Sequence, residues 1–289
     1  MEILVLKYFL EAAREGSMTK AAQKLNVTQP TMSKQLKDLE AELGQKLFTR
    51  TNYNIKLTAA GRTLQKRAED IVTLANRTVA EFKSDQKAYE GDIYVGCPES
   101  ASIKYFARAV KAVQSKYPRI RCNLYSGNLA DVTERLDRGL LDFALVMDYV
   151  DLNKYAYLDI PAHDIWGVVM RKDDPLADRK SMNVGDLYHL PLICSRQGIN
   201  IDFPKWFGAD LDKLNIVATF NLGYNAFIMV RESVGYAVSY DRLADTHENS
   251  DLKFIPLENI PPSEMKLIWR KSQVFSPIAA LLLEELKKA

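Results

Sequence analysis

The chain has 289 residues, 47% of them apolar, and a formal net charge of +2. That length fits two or three domains with proper cores, and no apolar run reaches the ~20 residues of a membrane span. Its three cysteines, Cys97, Cys122 and Cys194, have no metal-ligand spacing and fit buried apolar thiols of a reducing cytoplasm, with a redox-sensor role as the alternative.

The N-terminal stretch MEILVLKYFLEAAREG carries an acid at Glu2 and no small-residue cleavage site. It reads as a helix with Leu6, Phe9, Leu10 and Ala13 on one face, not as a signal peptide. Met18, Ala21, Ala22 and Leu25 follow at i, i+3, i+4, i+7, the spacing of an amphipathic helix, with Ser17 as its cap. Only Asn26 and Val27 separate it from a second helix, which Thr28 caps. Pro30 is tolerated there because first-turn N–H groups have no intrahelical partner. Met32, Leu36, Leu39 and Leu43 form the buried stripe of that second helix. Two short helices joined by a tight turn make a helix-turn-helix.

The outward face of the second helix holds Gln29, Thr31, Ser33, Lys34, Gln35 and Lys37 and no acid. Gln reads adenine bidentately, Ser and Thr reach bases or phosphates, and Lys binds phosphate or guanine. The helix N-terminus adds N–H donors for a phosphate. Asp38, Glu40 and Glu42 lie further along, where the helix would leave a groove. The plainer reading is a solvated helix face. Charge placement favours the nucleic-acid reading: residues 1–58 carry nine Lys/Arg against six Asp/Glu, whereas residues 91–289 carry 24 against 26.

The run from Phe9 to Gly61 resembles the DNA-binding domain of the LysR-type transcriptional regulators. The matching pieces are Ala21-Ala22, Leu25, Thr28-Gln29-Pro30, Ser33, Gln35, Leu39-Glu40, Leu43-Gly44, Leu47-Phe48, Arg50, and Leu57-Thr58 with Gly61. The resemblance implies a winged helix-turn-helix over residues 1–58 on double-stranded DNA. Its contact residues would be Thr28, Gln29, Pro30, Thr31, Ser33, Lys34 and Gln35, with Arg50 and Lys56 from the wing. Gln29, Thr31 and Lys34 are expected on base edges; Thr28, Ser33, Gln35, Arg50 and Lys56 on phosphate or, for the wing, in the minor groove. The family often has a second basic residue after Arg50. Here Thr51-Asn52-Tyr53-Asn54 follows it, so the wing's grip is expected to rest on Arg50 and Lys56.

Thr58 caps a long helical pattern that ends near Tyr89. Gly61, Ala68, Ala75 and Phe82 recur every seven residues, with Leu64, Ile71 and Thr78 between them, an a/d seam over about three heptads. A buried monomeric helix could carry the same stripe. A helix of this length between domains has no core of its own to lie on, which favours a dimer seam in a linker over residues 59–90. The resemblance implies the same pairing and, beyond it, a dimer of dimers, a homotetramer.

From Gly91 strands and helices alternate. Asp92–Gly96 reads as a strand, a helix runs through Phe106, Ala109, Val110 and Val113, Ile120–Tyr125 is a strand, Val132–Leu140 a helix and Phe143–Met147 a strand. A second set starts with Ile165–Met170 and continues through Leu190–Cys194, Ile216–Phe220, a helix from Tyr224, and Gly235–Ser239. Met265–Arg270 and Ile278–Leu286 are the last strand and helix. Such alternation predicts parallel sheets with right-handed crossovers. The resemblance adds that the last strand and helix return to the first set. Two Rossmann-like α/β lobes result, about 91–161 with 267–289 and about 162–266, similar to periplasmic binding proteins. They form an effector-binding domain over 91–289, and the fold class is α + α/β.

Ligands of open α/β sheets sit beyond the carboxyl ends of strands. There the chain offers Ser100, Ser102, Asn128, Ser195, Arg196, Tyr224 and Asn225 as effector-binding residues, and Ser100, Ser102 and Arg196 lean towards an anionic metabolite. Each has a plainer reading: Ser100 and Ser102 as helix caps, the neighbouring Gly127, Gly198 and Gly223 as turn residues, Arg196 as a solvated cation, Tyr224 as packing. The histidines His163, His189 and His247 have no metal-pair spacing. There is no G-x-S-x-G, no P-loop and no GxGxxG opening a helix. Neither catalysis nor a metal or cofactor is expected.

The expectation is a cytoplasmic transcriptional regulator on a partly palindromic promoter site. A small-molecule effector would control it, and RNA polymerase stays open as a further partner. Two alternatives remain: a DNA-binding protein whose lobes hold no ligand, and a small-molecule-binding protein or enzyme with an appended DNA domain.

Overall fold

The computed structural model describes residues 1–50, 54–83, 89–147, 151 and 153–288, with the side chains of residues 50, 80, 81 and 83 outside that description. The chain divides into two compact units, Met1–Ser84 and Asp85–Ala289. Among the described residues no helix is long and apolar enough to cross a membrane.

The first unit packs helices α1 (Ile3–Glu15), α2 (Met18–Lys24) and α3 (Gln29–Leu43) around one core, followed by a hairpin of β1 (Phe48–Arg50) and β2 (Ile55–Leu57) and the long helix α4 (Ala59–Lys83). Leu6, Phe9, Ala12, Ala21, Ala22, Met32, Leu36 and Leu47 fill that core. On α1 the buried face is Val5, Leu6, Tyr8, Phe9 and Ala12, so Leu10 and Ala13 sit at its margin. Ser17 caps α2 by accepting from the Lys20 amide. Gly16 ends α1 in the left-handed conformation, and its carbonyl accepts from the Ile55 amide (3.0 Å), which ties the hairpin to the helix end. The hairpin is antiparallel, with Phe48 opposite Leu57 and Thr49 opposite Lys56.

Two sequence expectations are corrected here. Leu43 is exposed, and the inward position near the end of α3 belongs to Glu40, which is only 8% exposed. Its carboxylate accepts from the Leu47 and Phe48 amides (2.9 and 3.3 Å) and pairs with Lys46 (2.9 Å). Burial works against the charged form, but the Lys46 ammonium and the two amides outweigh it and hold the carboxyl below its ordinary value. Glu40 therefore fastens the path from α3 into the hairpin. The second correction concerns α4. Gly61 and Ala68 are buried inside the unit, and Leu64 packs on the same core. A Cβ on Gly61 would stand 2.2 Å from the Leu47 carbonyl oxygen. Gly61 and Ala68 are small because the unit's own core demands it. The apolar stripe left outward on α4 is Ile71, Leu74 and Phe82, with Val79 beside it.

The second unit holds β3 (Gly91–Cys97), α5 (Lys104–Lys116), β4 (Ile120–Ser126), α6 (Leu129–Asp137), β5 (Phe143–Met147) and β6 (Tyr155–Asp164), then β7 (Trp166–Arg171), β8 (Leu192–Ser195), α7 (Phe203–Phe207), β9 (Ile216–Phe220), α8 (Gly223–Arg231), β10 (Tyr236–Tyr240), β11 (Leu252–Pro256), β12 (Ser263–Arg270) and α9 (Pro277–Leu286). Two five-stranded sheets form, in the orders β4-β3-β5-β12-β6 and β11-β7-β10-β8-β9. β3 lies parallel to β4 and β5, and β8 parallel to β9 and β10. β12 returns to the first sheet antiparallel to β5 and β6, and α9 joins its core through Ile278, Ala279 and Leu282. The chain thus crosses between lobes twice, at Ile165 and between β11 and β12. β6 and β11 escaped the sequence reading because they lie outside the strand–helix alternation: each pairs antiparallel at a sheet edge, and β6 alternates buried with solvent-facing residues and so lacks an apolar run. α6 starts three residues earlier than expected, because Asn128 caps it.

Candidate functional sites

The polar face of α3 is available. Thr28 caps the helix by accepting from the Thr31 amide (3.4 Å), and the two hydroxyls lie 2.7 Å apart. Gln29, Pro30, Thr31 and Lys34 are exposed, and Ser33 and Gln35 half-buried. Among the described residues the side chains of Gln29, Ser33, Lys34 and Gln35 make no hydrogen bond or ion pair. Thr31 differs, since Thr28 holds its hydroxyl. Lys56 is exposed on β2, opposite Thr49. Arg50 ends β1, but its side chain and residues 51–53 lie outside the described residues.

Between the two lobes of the second unit lies a cavity of about 630 Å³, counting its open mouth. Lobe one contributes Glu99 and Asn128. The other lobe contributes Trp166, Ser195, Gln197, Asp202, Phe220, Ser239 and Tyr240. Two hydrogen bonds cross it reciprocally. The Gly223 amide, at the start of α8, donates to the Glu99 carboxylate, and the Leu129 amide, at the start of α6, donates to the Gln197 side-chain carbonyl (2.8 Å). Each lobe therefore satisfies an orphan donor at the helix N-terminus of the other.

Of the expected effector residues, Asn128 and Ser195 line this cavity. Both also have local work: Asn128 accepts from the Asp131 amide (3.0 Å) and Ser195 from the Gly198 amide (2.9 Å). Ser100 and Ser102 do not line it. They are buried and both donate to Asp164, Ser102 at 2.6 Å, with the Arg242 guanidinium 3.4 Å from the same carboxylate. The anion these serines hold is the protein's own, at the end of β6 where the chain crosses between lobes. Arg196, Tyr224 and Asn225 are exposed and outside the lining, with Arg196 Nε 3.5 Å from the Thr219 hydroxyl. The leaning towards an anionic ligand thus loses its carriers.

The lining residues Glu99 and Gln197 stand one position from two of the expected residues, Glu99 beside Ser100 and Gln197 beside Arg196. Ser239 and Tyr240 stand at the carboxyl end of β10, which pairs parallel with β8. The strand-end rule already pointed there. Burial raises all three thiols, Cys122 to about 11 and Cys194 to about 12, so they stay protonated and unreactive.

Two family models match the chain: the bacterial regulatory helix-turn-helix protein of the lysR family over residues 4–62, and the LysR substrate binding domain over residues 86–289. The chain is 30% identical over 243 residues to the uncharacterized HTH-type transcriptional regulator YvbU of Bacillus subtilis, spanning 82% of this chain and 81% of that one. To the HTH-type transcriptional activator CmpR of Synechocystis it is 27% identical over 286 residues, 96% and 92% of the two chains. Among solved structures, CbnR, a LysR family transcriptional regulator, shares the fold with a TM-score of 0.77 at 21% identity, over 100% of this chain and 99% of that one. Full-length CbnR with its target DNA gives 0.75 at 22% identity, with the same coverage.

Proposed function

The chain belongs to the LysR family of DNA-binding transcriptional regulators, and on that premise we propose that α3 reads base edges in a major groove while the cavity of the second unit receives a small-molecule effector. The observation that carries the first half is the exposed, acid-free and unpaired face of α3. Gln29 and Lys34 have the reach and donor pattern for base edges. Thr31 must release Thr28 to join them. Thr28, Ser33 and Gln35 position the helix on phosphate, Pro30 adds a contact without a donor, and Arg50 and Lys56 add the wing's grip.

In this reading residues 1–58 bind DNA and residues 59–90 pair two chains. Residues 91–289 sense the effector through lobes 91–161 with 267–289 and 162–266. A two-fold dimer on a partly palindromic site follows, and a dimer of dimers beyond it. The outward stripe of Ile71, Leu74 and Phe82 supports helix pairing. The protein acts in the cytoplasm, where its DNA is, and without catalysis of its own. Control requires the effector to bind one arrangement of the lobes better than another.

Footprinting of the DNA upstream of its own gene, at fixed salt, tests the reading. A protected region with two matched parts is expected, lost in the Gln29→Ala, Lys34→Ala double variant. Equal protection by wild type and double variant would remove α3 from base reading.

A further inference from the structure

Resting on the reading of the interlobe cavity as the effector site, we propose that its ligand is a small organic cation, an ammonium group on an apolar body, held between Glu99 of one lobe and Asp202 of the other. Charge is the first reason. Glu99 and Asp202 are the charged residues among the described lining; Asp202 is only 7% exposed and Lys205, from outside the lining, meets it at 3.6 Å. An anion entering here would face two carboxylates and no cation of the described lining. An ammonium would meet one carboxylate from each lobe and draw the lobes together.

The second reason is the state of the donors. The backbone donors at the two helix starts are in use, the Gly223 amide on Glu99 and the Leu129 amide on Gln197, and the Ser100 and Ser102 hydroxyls lie outside the lining on Asp164; the donors left to the lining are neutral side-chain amides and hydroxyls. Acceptors are open as well. Glu99 spends one carboxylate oxygen on Gly223, and its other oxygen makes no hydrogen bond among the described residues. Ser239 is 3% exposed, lines the cavity, and its hydroxyl has no partner among the described residues. Its oxygen opens on the cavity, and an N–H of the ligand would meet it there.

The third reason is the aromatic wall. The Trp166 and Tyr240 rings lie 4.2 Å apart at their centroids, and Phe220 lines the same space. Aromatic faces attract cations, most strongly where water is excluded, and the apolar remainder of the ligand fits the same surface.

Calorimetric titration of the full-length protein with n-butylammonium, tetramethylammonium, butyrate and n-butanol, at constant ionic strength and followed also by tryptophan fluorescence, tests this. n-Butylammonium should bind at least about tenfold tighter than n-butanol and tighter than tetramethylammonium, which has no N–H to donate, and Glu99→Gln and Asp202→Asn should each weaken it by about tenfold. Glu99→Gln keeps an acceptor for the Gly223 amide, so it remains informative if Asp202→Asn folds poorly. Arg196→Ala should bind like wild type. Butyrate binding in preference to the ammonium probes would overturn the charge assignment and leave the cavity as the effector site. Ammonium binding unchanged in Glu99→Gln would overturn the assignment to these residues. Binding of no probe at millimolar concentration would overturn the cation inference, while the effector reading is tested apart from it by butyrate.

Discussion

On α3, the side chains of Gln29, Ser33, Lys34 and Gln35 have no protein partner among the described residues; around the interlobe cavity, Ser100, Ser102, Asn128 and Ser195 each already hold another part of the chain. The difference follows from what each region must do. A face that meets a rigid polyanion from outside needs donors left unspent, because the partner brings its own acceptors. A cavity formed by two lobes must first keep those lobes in place, and caps and buried carboxylates do that. Ser100 and Ser102 pin the crossing strand through Asp164, while Glu99 and Gln197 reach across to helix ends. A polar residue at a strand end is therefore weaker evidence for a ligand than a polar residue with nothing to hold.

The substitution that should break the comparison hardest is Gly61→Ala. Its Cβ would meet backbone 2.2 Å away, and such overpacking costs about 3 kcal/mol or more. DNA affinity should fall with the melting temperature of the first unit, while n-butylammonium binding is kept. Next is Ser102→Ala. It leaves a buried carboxylate short of a donor, at about 1–3 kcal/mol, and should lower the urea midpoint without altering ammonium affinity. A specific loss of ligand binding would make Ser102 a ligand residue after all. Gln29→Ala should cost a similar ~1–3 kcal/mol, but in discrimination between DNA sequences and not in stability. Lys56→Ala should weaken all sequences alike and lower the salt slope by about one phosphate contact.

Smaller still is a pH effect in the first unit. The Glu40 carboxyl is held below its ordinary value of 4.5. Its contribution is complete above that value and lost as pH falls through the lower folded-state value. Thermal unfolding from neutral to acid should show less acid sensitivity in Glu40→Gln than in wild type. Arg196→Ala is the floor of the series, within about 0.5 kcal/mol in stability.

Local signals carried the first unit well. Ser17, Thr28 and Thr58 cap the helices they precede, and the helix-turn-helix follows from spacing alone. Glu40 and Gly61 were misjudged for one reason: their partners, Leu47 and its neighbours, come from elsewhere in the chain, and no periodicity records such a contact. The α/β alternation exposed the parallel strands, whereas β6 and β11 pair antiparallel and have no place in that alternation. In the cavity the loops were legible but the inward residue was not. Which side chain of Glu99-Ser100 faces the ligand space is decided by Asp164, far along the chain, and by Gly223 in the other lobe.

The most direct test of α3 as the reading element is selection of duplexes from a random pool by the full-length protein and by Gln29→Ala, at one salt concentration. Wild type should return two matched half-sites, and Gln29→Ala the same sites with preference flattened at one position in each half. Identical consensus sequences with equal affinities, or a wild-type pool that stays random, would contradict it.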